Sequence, residues 1–281
     1  MVKYLLGLAF SFIALTGLGV TQEYKAFAIG EMHVIALADV PKLMLEPDEG
    51  LLVGLPEAKK GVVTAEEMAN GINTFVVKTG GDVILFDTGL GEEGGMGMKG
   101  ELLASLAAAG LQPDDITAVC ITHFHFDHVG GLVRDGEAVF EKARLLVPRA
   151  EVEADADSFA KFKDAYAGRL SMFDWGENVL PGITALDASG HTRGHTAFLL
   201  ERDGGRLLIA GDVIHFGGLQ LDNPEIAVVY DTDPVQAVAA RRRVFDKAIG
   251  EGLPVATMHL PFPGIGKLGR AGDGYTFVDL E

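Results

Sequence analysis

Apolar residues in this chain fall mostly into short alternating runs, and glycine-rich turns separate these runs. Residues 24–40 alternate on both sides of Gly30 and Glu31, which predicts two short strands. Residues 74–78 and 83–87 flank a Gly-Gly pair, which predicts a hairpin. The chain after its first twenty residues is therefore expected to begin with β structure.

Helical patterns are interspersed among further strand-like runs. Residues 101–109 are rich in alanine and leucine and end at Gly110, which predicts a helix. Asp233 followed by Pro234 predicts the start of a helix that runs to about residue 249. Residues 41–70 are predicted to form a long loop with at most one helix. Strands are predicted at 116–121, 144–147 and 254–257, and helical stretches follow the strand 144–147 up to about residue 168. Residues 198–202 and 206–210 are predicted to form a hairpin. This order predicts two mixed β/α halves in one compact domain.

The N-terminus carries a possible targeting segment. Lys3 precedes an apolar run over residues 5–20, which is shorter than the roughly 20 residues of a membrane span and resembles a secretory signal. No A-x-A cleavage site follows, so an uncleaved anchor is one alternative and a buried first strand or helix is another. We expect residues 1–20 to be a signal peptide or anchor and residues 21–281 to be the folded domain. The corresponding location is the periplasm or the exterior of the cell.

Composition narrows the classes of partner and of metal site. The chain has 40 acidic and 23 basic residues, a net charge of −17, and 48% hydrophobic residues, which excludes a disordered protein. The acidic balance disfavours nucleic acid as a partner, and it disfavours an anionic membrane surface. Cys120 is the single cysteine, which excludes an internal disulfide and any zinc site built from several thiolates. A metal would therefore have to bind histidines and carboxylates.

The densest chemical motif is a cluster of histidines and an aspartate directly after the predicted strand 116–121. His123, His125, Asp127 and His128 lie within six residues. Such groups cannot all be buried without partners, because buried ionisable groups need compensation. Neutral imidazole and carboxylate are suitable ligands for a divalent transition metal. The cluster therefore predicts metal ligands.

Further candidate ligands follow other predicted strands or lie in glycine-containing loops. His191 and His195 lie in the run Gly-His-Thr-Arg-Gly-His, Asp212 follows the strand 206–210, and His259 follows the strand 254–257. Functional sites are commonly assembled at such strand ends. His195 is expected to support its loop rather than to bind metal. His215 is left open between a pocket residue near Asp212 and a surface residue.

These motifs together resemble the metallo-β-lactamase superfamily. The resemblance rests on His-x-His-x-Asp-His, Gly-His-Thr-x-Gly-His, Gly-Asp and a late histidine in that order, with the triplet Asp87-Thr88-Gly89 upstream. It covers roughly residues 73–260. It implies an α/β (α+β) fold, a four-layer αββα sandwich in which helices cover two packed sheets. Asp87 is then expected to hold the loop 123–128 in place.

A narrower resemblance is to the methyl parathion hydrolase branch of that superfamily. It rests on residues 211–215, 231–233 and 259–266, which read GDVIH, DTD and HLPFPGIG. The branch comprises exported hydrolases of organophosphate triesters related to lactone and aryl-ester hydrolases. The resemblance also implies a homodimer.

The superfamily resemblance implies a role for each candidate ligand. It places one metal on His123, His125 and His191 and a second on Asp127, His128 and His259, with Asp212 bridging both. It marks Asp127 and Asp212 as the carboxylates at the reacting centre. The metals are two divalent ions, zinc first, with Mn²⁺, Co²⁺ or Fe²⁺ as alternatives.

The expected activity follows from two metals that share one solvent molecule. A bridging hydroxide, available at neutral pH because metals acidify bound water, would cleave a small-molecule ester: a lactone, an aryl ester or an organophosphate triester. The alternatives on the same scaffold are a thioester or β-lactam hydrolase and an iron-dependent oxidoreductase. A non-catalytic metal-binding protein is a third class. The expected ligands do not distinguish among the ester substrates.

Overall fold

The structure is a computed structural model that describes residues 23–43, 46–92, 94 and 98–281. The predicted signal or anchor segment, 1–20, lies outside the described residues, so export stays a prediction. Among the helices that are described, none combines the length and the apolar character needed to cross a membrane.

Eighteen strands and six α-helices make up the described chain. The first half contains β1 (Tyr24–Ile29), β2 (Met32–Leu43), β3 (Leu52–Val53), β4 (Asn70–Thr79), β5 (Asp82–Phe86), α1 (Leu102–Ala108), β6 (Ala118–Cys120), α2 (Phe126–Val129), β7 (Val133–Arg134), β8 (Glu137–Ala138), β9 (Arg144–Pro148), α3 (Arg149–Ala154), α4 (Ala156–Ala160) and β10 (Leu170–Phe173). The second half contains β11 (Asn178–Leu180), β12 (Ile183–Asp187), β13 (Thr196–Arg202), β14 (Gly205–Ile209), α5 (Gly217–Gln220), β15 (Ala227–Val228), α6 (Pro234–Glu251), β16 (Pro254–Ala256), β17 (Ile265–Ala271) and β18 (Gly274–Asp279).

Two seven-stranded sheets form the centre of the molecule. The first has the order β1-β2-β4-β5-β6-β9-β10, and the second has the order β11-β12-β13-β14-β16-β17-β18. In the first sheet, β5, β6, β9 and β10 pair in parallel, and the strands before them pair antiparallel. In the second sheet only β14 and β16 pair in parallel. Each half is therefore mixed β/α, as the element order predicted.

The side-chain alternation of the strands explains why the sheets stack face to face. Phe75 and Val77 of β4 enter the core between the sheets, and Val76 enters the core on the outer face of the first sheet. Phe198 of β13 enters the central core from the second sheet, and its neighbour Leu199 faces the opposite side. A period of two thus gives each sheet two apolar faces.

Helices cover the two outer faces. Leu102 and Leu106 of α1 pack into the outer core of the first sheet. Val244, Phe245 and Ala248 of α6 pack into the outer core of the second sheet. The predicted αββα sandwich is confirmed. The predicted N-terminus of α6 is also confirmed, because the carboxylate of its preceding residue accepts a hydrogen bond from the third residue of the helix.

Two segments differ from the sequence prediction. The helical stretch expected to run to about 168 ends at Ala160, and turns follow. Phe162 and Tyr166 have helical spacing and are buried, and the Tyr166 hydroxyl donates to the Leu132 carbonyl, which ties this turn segment to the loop after α2. The described part of 41–70 is a loop with two 3₁₀ turns and no α-helix, and it contains the short strand β3, which the sequence did not predict.

The loop before β4 packs as a separate small core. Its β3 pairs with β15, and apolar side chains from both segments meet. The members of this core are Leu52, Val63, Met68, Phe216, Leu219, Ile226 and Val228. Because two of them lie in or next to α5, the loop lies beside the segment that follows Asp212.

Candidate metal centre

The candidate ligands come together at one edge of the sandwich. Asp87 follows β5 and His123 follows β6, two strands that pair in parallel. Asp212 follows β14 and His259 follows β16, the parallel pair of the second sheet. The carboxyl ends of parallel strands meet at the same sheet edge, so each half of the molecule brings its own residues to this edge.

The structure groups the predicted ligands into two sets that meet at Asp212. We call His123, His125 and His191 with Asp212 the first set, and Asp127, His128 and His259 the second set. In each set the candidate ligand atoms all lie within 4.8 Å of one another. These two groups have the members that the sequence resemblance implied, and Asp212, His215 and His259 form a third group that it did not imply.

The Asp212 carboxylate lies between the two sets. Its Oδ2 is 3.3 Å from His191 Nε2 and 2.9 Å from His259 Nε2. Its Oδ1 is 3.3 Å from His128 Nε2. Burial acts to raise the pKa of Asp212, but the surrounding imidazoles, His128 and His259 foremost, hold that pKa well below its usual range. Asp212 is therefore an anion that faces nitrogen donors of both sets.

The buried donor atoms fit a cation. His123 Nε2, His128 Nε2 and Asp212 Oδ1 are buried and have no hydrogen-bond partner among the described residues. Such atoms are costly unless something satisfies them. Burial also lowers the pKa of His123 far below its usual value and that of His125 to about 4, so both imidazoles present lone pairs. The residues present thus suit borderline-soft divalent ions.

Short local structure presents the first group of ligands. His125 takes an extended conformation and precedes α2, whose first turn carries Asp127 and His128. The two phenylalanines between the ligands have different environments. Phe124 is buried against aromatic rings of the α4 segment, whereas Phe126 is 47% exposed beside the centre. Phe124 therefore packs under the ligand loop, whereas Phe126 borders the solvent side of the centre.

Three imidazoles of the centre donate Nδ1–H to an acceptor outside it. His128 Nδ1 lies 2.8 Å from Asp87 Oδ2, and His191 Nδ1 lies 2.8 Å from Asp231 Oδ1. The third, His259, donates to a backbone carbonyl at 2.9 Å. These bonds fix the tautomer that leaves Nε2 free as a ligand.

Asp87 also holds the loop that carries the first ligands. Its carboxylate accepts from the backbone N–H and the hydroxyl of Thr122, each at 2.8 Å. Burial raises the pKa of Asp87, and the charge and hydrogen bond of His128 act against that rise. Asp87 thus has the loop-holding contacts that the sequence led us to expect.

His195 supports the centre without joining either set. Its Nδ1 donates to the Ala188 carbonyl at 2.8 Å, and its Nε2 accepts the backbone N–H of Asp212 at 2.9 Å. Gly211 makes this approach feasible, because a Cβ there would lie 2.3 Å from His195 Nε2. The residue therefore fixes the Asp212 backbone, which agrees with the expected loop-supporting role.

His215 lies inside the centre and not on the surface. It is 3% exposed, its Nε2 is 3.2 Å from Asp212 Oδ2, and its ring stacks on His259 with centroids 5.0 Å apart. Its other face meets the ring of Tyr230 at 5.2 Å. Of the two alternatives left open by the sequence, the structure selects the residue near Asp212.

Sequence reasoning did not identify two carboxylates that contact the ligand loops. Asp231 belongs to the DTD motif of the narrower resemblance, and no sequence pattern singles out Glu151. Glu151 is 2% exposed and accepts hydrogen bonds from both histidine loops. Its position in an ordinary short helix gave no signal, because its partners are far away along the chain.

Comparison with known proteins settles the family. The model of the metallo-beta-lactamase superfamily matches residues 69–259. The chain belongs to the metallo-β-lactamase superfamily. This range contains every residue of both sets and the four strands β5, β6, β14 and β16 at whose ends the site is assembled.

Relatives within the superfamily point to hydrolases. The chain is 30% identical over 174 residues to an N-acyl homoserine lactonase of a Bacillus species, an alignment that covers 59% of this chain and 61% of that protein. The chain thus spans about three fifths of the length of the curated lactonases it matches.

Two solved structures extend the likeness over nearly the whole chain. The hydrolase AbOPH of the β-lactamase superfamily superposes with a TM-score of 0.79 at 28% identity, covering 92% of this chain and 97% of that one. AidC, a dizinc quorum-quenching lactonase, superposes with a TM-score of 0.81 at 24% identity, covering 92% and 98%. The second likeness concerns the fold alone.

Proposed function

We propose that the protein is a metal-dependent hydrolase of ester bonds that holds two divalent ions, zinc foremost, and acts on lactones in preference to aryl esters and phosphate triesters. The observation that carries the proposal is the Asp212 carboxylate between two sets of nitrogen and oxygen donors. The similarity to an N-acyl homoserine lactonase supports the ester class and favours lactones within it.

The chain's own residues would position the reaction. Two divalent ions bound here would polarise an ester carbonyl and lower the pKa of water to about 7. Asp212 would hold the two sites next to each other, and the acceptors Asp87 and Asp231 would keep His128 and His191 oriented. The Asp127 side chain is 16% exposed, so the second set borders on the side that substrate can reach.

Apolar side chains beside the centre suit the organic part of an ester. Phe126 and Tyr230 are 47% and 39% exposed. Tyr230 lies near the rings of His191 and His215, and Phe126 is adjacent to Asp127 in α2. Accessible aromatic side chains next to a few polar side chains are typical of sites that bind small molecules.

A thiol nucleophile is not an alternative in this chain. Cys120 is fully buried in β6, and burial raises the pKa of its thiol far above the usual value. A thiolate would be needed for attack. The chemistry is therefore assigned to the histidine and carboxylate centre.

The test is a substrate panel with metal-loaded protein. We expect zinc-loaded protein to open N-acyl homoserine lactones and dihydrocoumarin, as measured by proton release in weak buffer. A chelator should abolish the activity, zinc should restore it, and His123→Ala should lack it under both conditions. Metal-loaded protein that hydrolyses no lactone, aryl ester or phosphotriester would contradict the proposal.

The same panel distinguishes the other activities. A higher kcat/KM for a phosphotriester than for any lactone would assign the substrate to the organophosphate class. Turnover of thioesters or β-lactams alone would assign one of those classes. Bound iron with oxygen consumption would assign an oxidoreductase.

A further inference from the structure

The Glu151 carboxylate joins the two loops that carry the first set. Its Oε1 accepts the backbone N–H of Phe124 at 3.2 Å. Its Oε2 accepts the Thr192 hydroxyl at 2.8 Å and the Gly194 N–H at 2.7 Å. One side chain thus makes three hydrogen bonds to two segments that are distant in sequence.

These contacts lie on one side of the centre. Phe124 stands between His123 and His125, and Thr192 follows His191 directly. All three histidines of the first set therefore neighbour a residue that Glu151 holds. None of the three ligands of the second set neighbours such a residue in the same way. That set has other supports, namely Asp87 for its His128 and a backbone carbonyl for its late histidine.

The backbone around Glu151 is built for close approach. A Cβ on Gly194 would lie 2.2 Å from Glu151 N and 2.5 Å from Glu151 Cα. Only a glycine lets the loop rest directly on the first turn of α3. The contact at Gly194 fixes the distance between the His191 loop and α3. The Glu151 carboxylate then reaches from α3 to the loop that carries Phe124.

A buried carboxylate needs such partners to be tolerated. Burial raises the pKa of Glu151, and the hydrogen bonds from Thr192, Phe124 and Gly194 oppose that rise. A buried ionisable group without compensation is strongly destabilising. Glu151 thus places a carboxylate at a buried position. All three hydrogen bonds that this carboxylate accepts come from the loops that carry the ligands.

We propose that Glu151 is a positioning residue that sets the separation of the His125 and His191 imidazoles and thereby the metal affinity of the first set. The two rings are close, with His125 Nδ1 and His191 Nε2 2.9 Å apart. This inference rests on the proposed function, because it needs two metal sites. It adds that the hydrogen bonds of Glu151 serve the first set alone, whereas Asp87 contacts both sets through Thr122 and His128.

The test measures metal affinity of the whole protein rather than turnover. Glu151→Gln keeps the size of the side chain but replaces one acceptor oxygen with an NH₂ group. That NH₂ group then faces at least one of the hydrogen-bond donors that the Glu151 carboxylate accepts from, so at least one hydrogen bond is lost. We expect the variant to bind one zinc ion as tightly as the parent and the other about ten- to a hundredfold more weakly. The readout is competition of metal-free protein with a chromogenic chelator.

A matched control and a milder variant accompany this measurement. Glu153→Gln changes the same residue type in the same helix at an exposed position, and we expect it to bind both ions like the parent. Thr192→Val removes one donor to Glu151 and keeps the side-chain shape. We expect it to weaken the same single ion by a smaller factor, which keeps the inference testable if Glu151→Gln does not fold.

A double-variant comparison identifies the ion concerned. In the Glu151→Gln background, His125→Ala should weaken further only the ion that Glu151→Gln has already weakened, and should leave the tightly bound ion unchanged. His259→Ala in that background should instead weaken the tightly bound ion. The ion that both Glu151→Gln and His125→Ala weaken is then the ion of the first set.

The outcomes separate this inference from the proposed function. If Glu151→Gln binds both ions as tightly as the parent does, or loses affinity for both ions by the same factor, the positioning role is overturned while the proposed function stays intact. A parent protein that binds fewer than two ions would overturn the proposed function and the inference with it. Selective weakening of one ion supports both.

Discussion

At the residue scale, the centre depends on groups that orient its imidazoles. Asp87 and Asp231 accept Nδ1–H bonds from His128 and His191, and each carboxylate also binds backbone nearby. Burial lowers the pKa of His191, but Asp212 and Asp231 outweigh burial and raise that pKa to about 9. The orienting carboxylates therefore determine both geometry and basicity.

Removal of one orienting carboxylate should weaken metal binding. Asp231→Ala leaves the His191 ring free to turn and removes the charge that raises its basicity. We expect the affinity for one of the two ions to fall by about ten- to a hundredfold. Chelator competition on the purified variant measures this fall. An unchanged affinity for both ions would show that Asp231 does not orient His191.

The sequence predicts ligands better than it predicts their supports. His123, His125 and His128 are predictable because several ionisable groups within six residues after a strand need a common partner. Glu151 is not predictable, because its partners are 27 to 43 residues away. Only the packing of α3 on the loop at Gly194 brings the carboxylate to them.

At the element scale, hairpins and long helices follow from local patterns and short strands do not. The hairpin of β4 and β5 was predicted because two alternating runs flank a Gly-Gly turn. The strands between residues 170 and 187 were not predicted, since β11 has only three residues and no full alternation. Such strands form because neighbouring strands offer partners.

Asp39 of β2 connects three elements and gives a prediction on pH. Its carboxylate is fully buried and accepts the backbone N–H groups of Leu90 and Leu102 at 2.8 and 2.9 Å. Burial raises the pKa of Asp39 to about 6, and these two hydrogen bonds limit the rise. A raised pKa in the folded state means that stability is lost as pH rises through that value.

The stability of the parent should therefore fall relative to Asp39→Asn as pH rises. Between pH 4.5 and 7 we expect the difference in the free energy of unfolding, parent minus variant, to decrease by about 2 kcal/mol. Asp39→Asn also alters hydrogen bonds, but this changes the difference by the same amount at pH 4.5 and at pH 7. It therefore does not affect the trend with pH. Urea unfolding of both chelator-treated proteins at the two pH values gives the answer. A constant difference would refute the raised pKa.

At the scale of the whole molecule, the centre joins the two halves of the sandwich. His123, His125 and His128 come from the first half, whereas His191 and Asp212 come from the second. The two sheets already share the central core, in which Phe75 of one half and Phe198 of the other lie. A ligand that binds only the folded state stabilises it by mass action.

Metal should consequently stabilise the folded chain as a unit. Zinc at a hundred times its dissociation constant should raise the free energy of unfolding by about 3 kcal/mol for each ion. The measurement is a thermal or urea unfolding curve with zinc and with chelator. His123→Ala should show a smaller increase than the parent. An increase of equal size in His123→Ala would place the stabilising metal elsewhere.

The most direct measurement is anomalous diffraction from crystals of the zinc-loaded protein at the zinc absorption edge. We expect two peaks, one on each side of the Asp212 carboxylate, with the first set around one and the second set around the other. A single peak, or peaks away from Asp212, would contradict the two-ion centre.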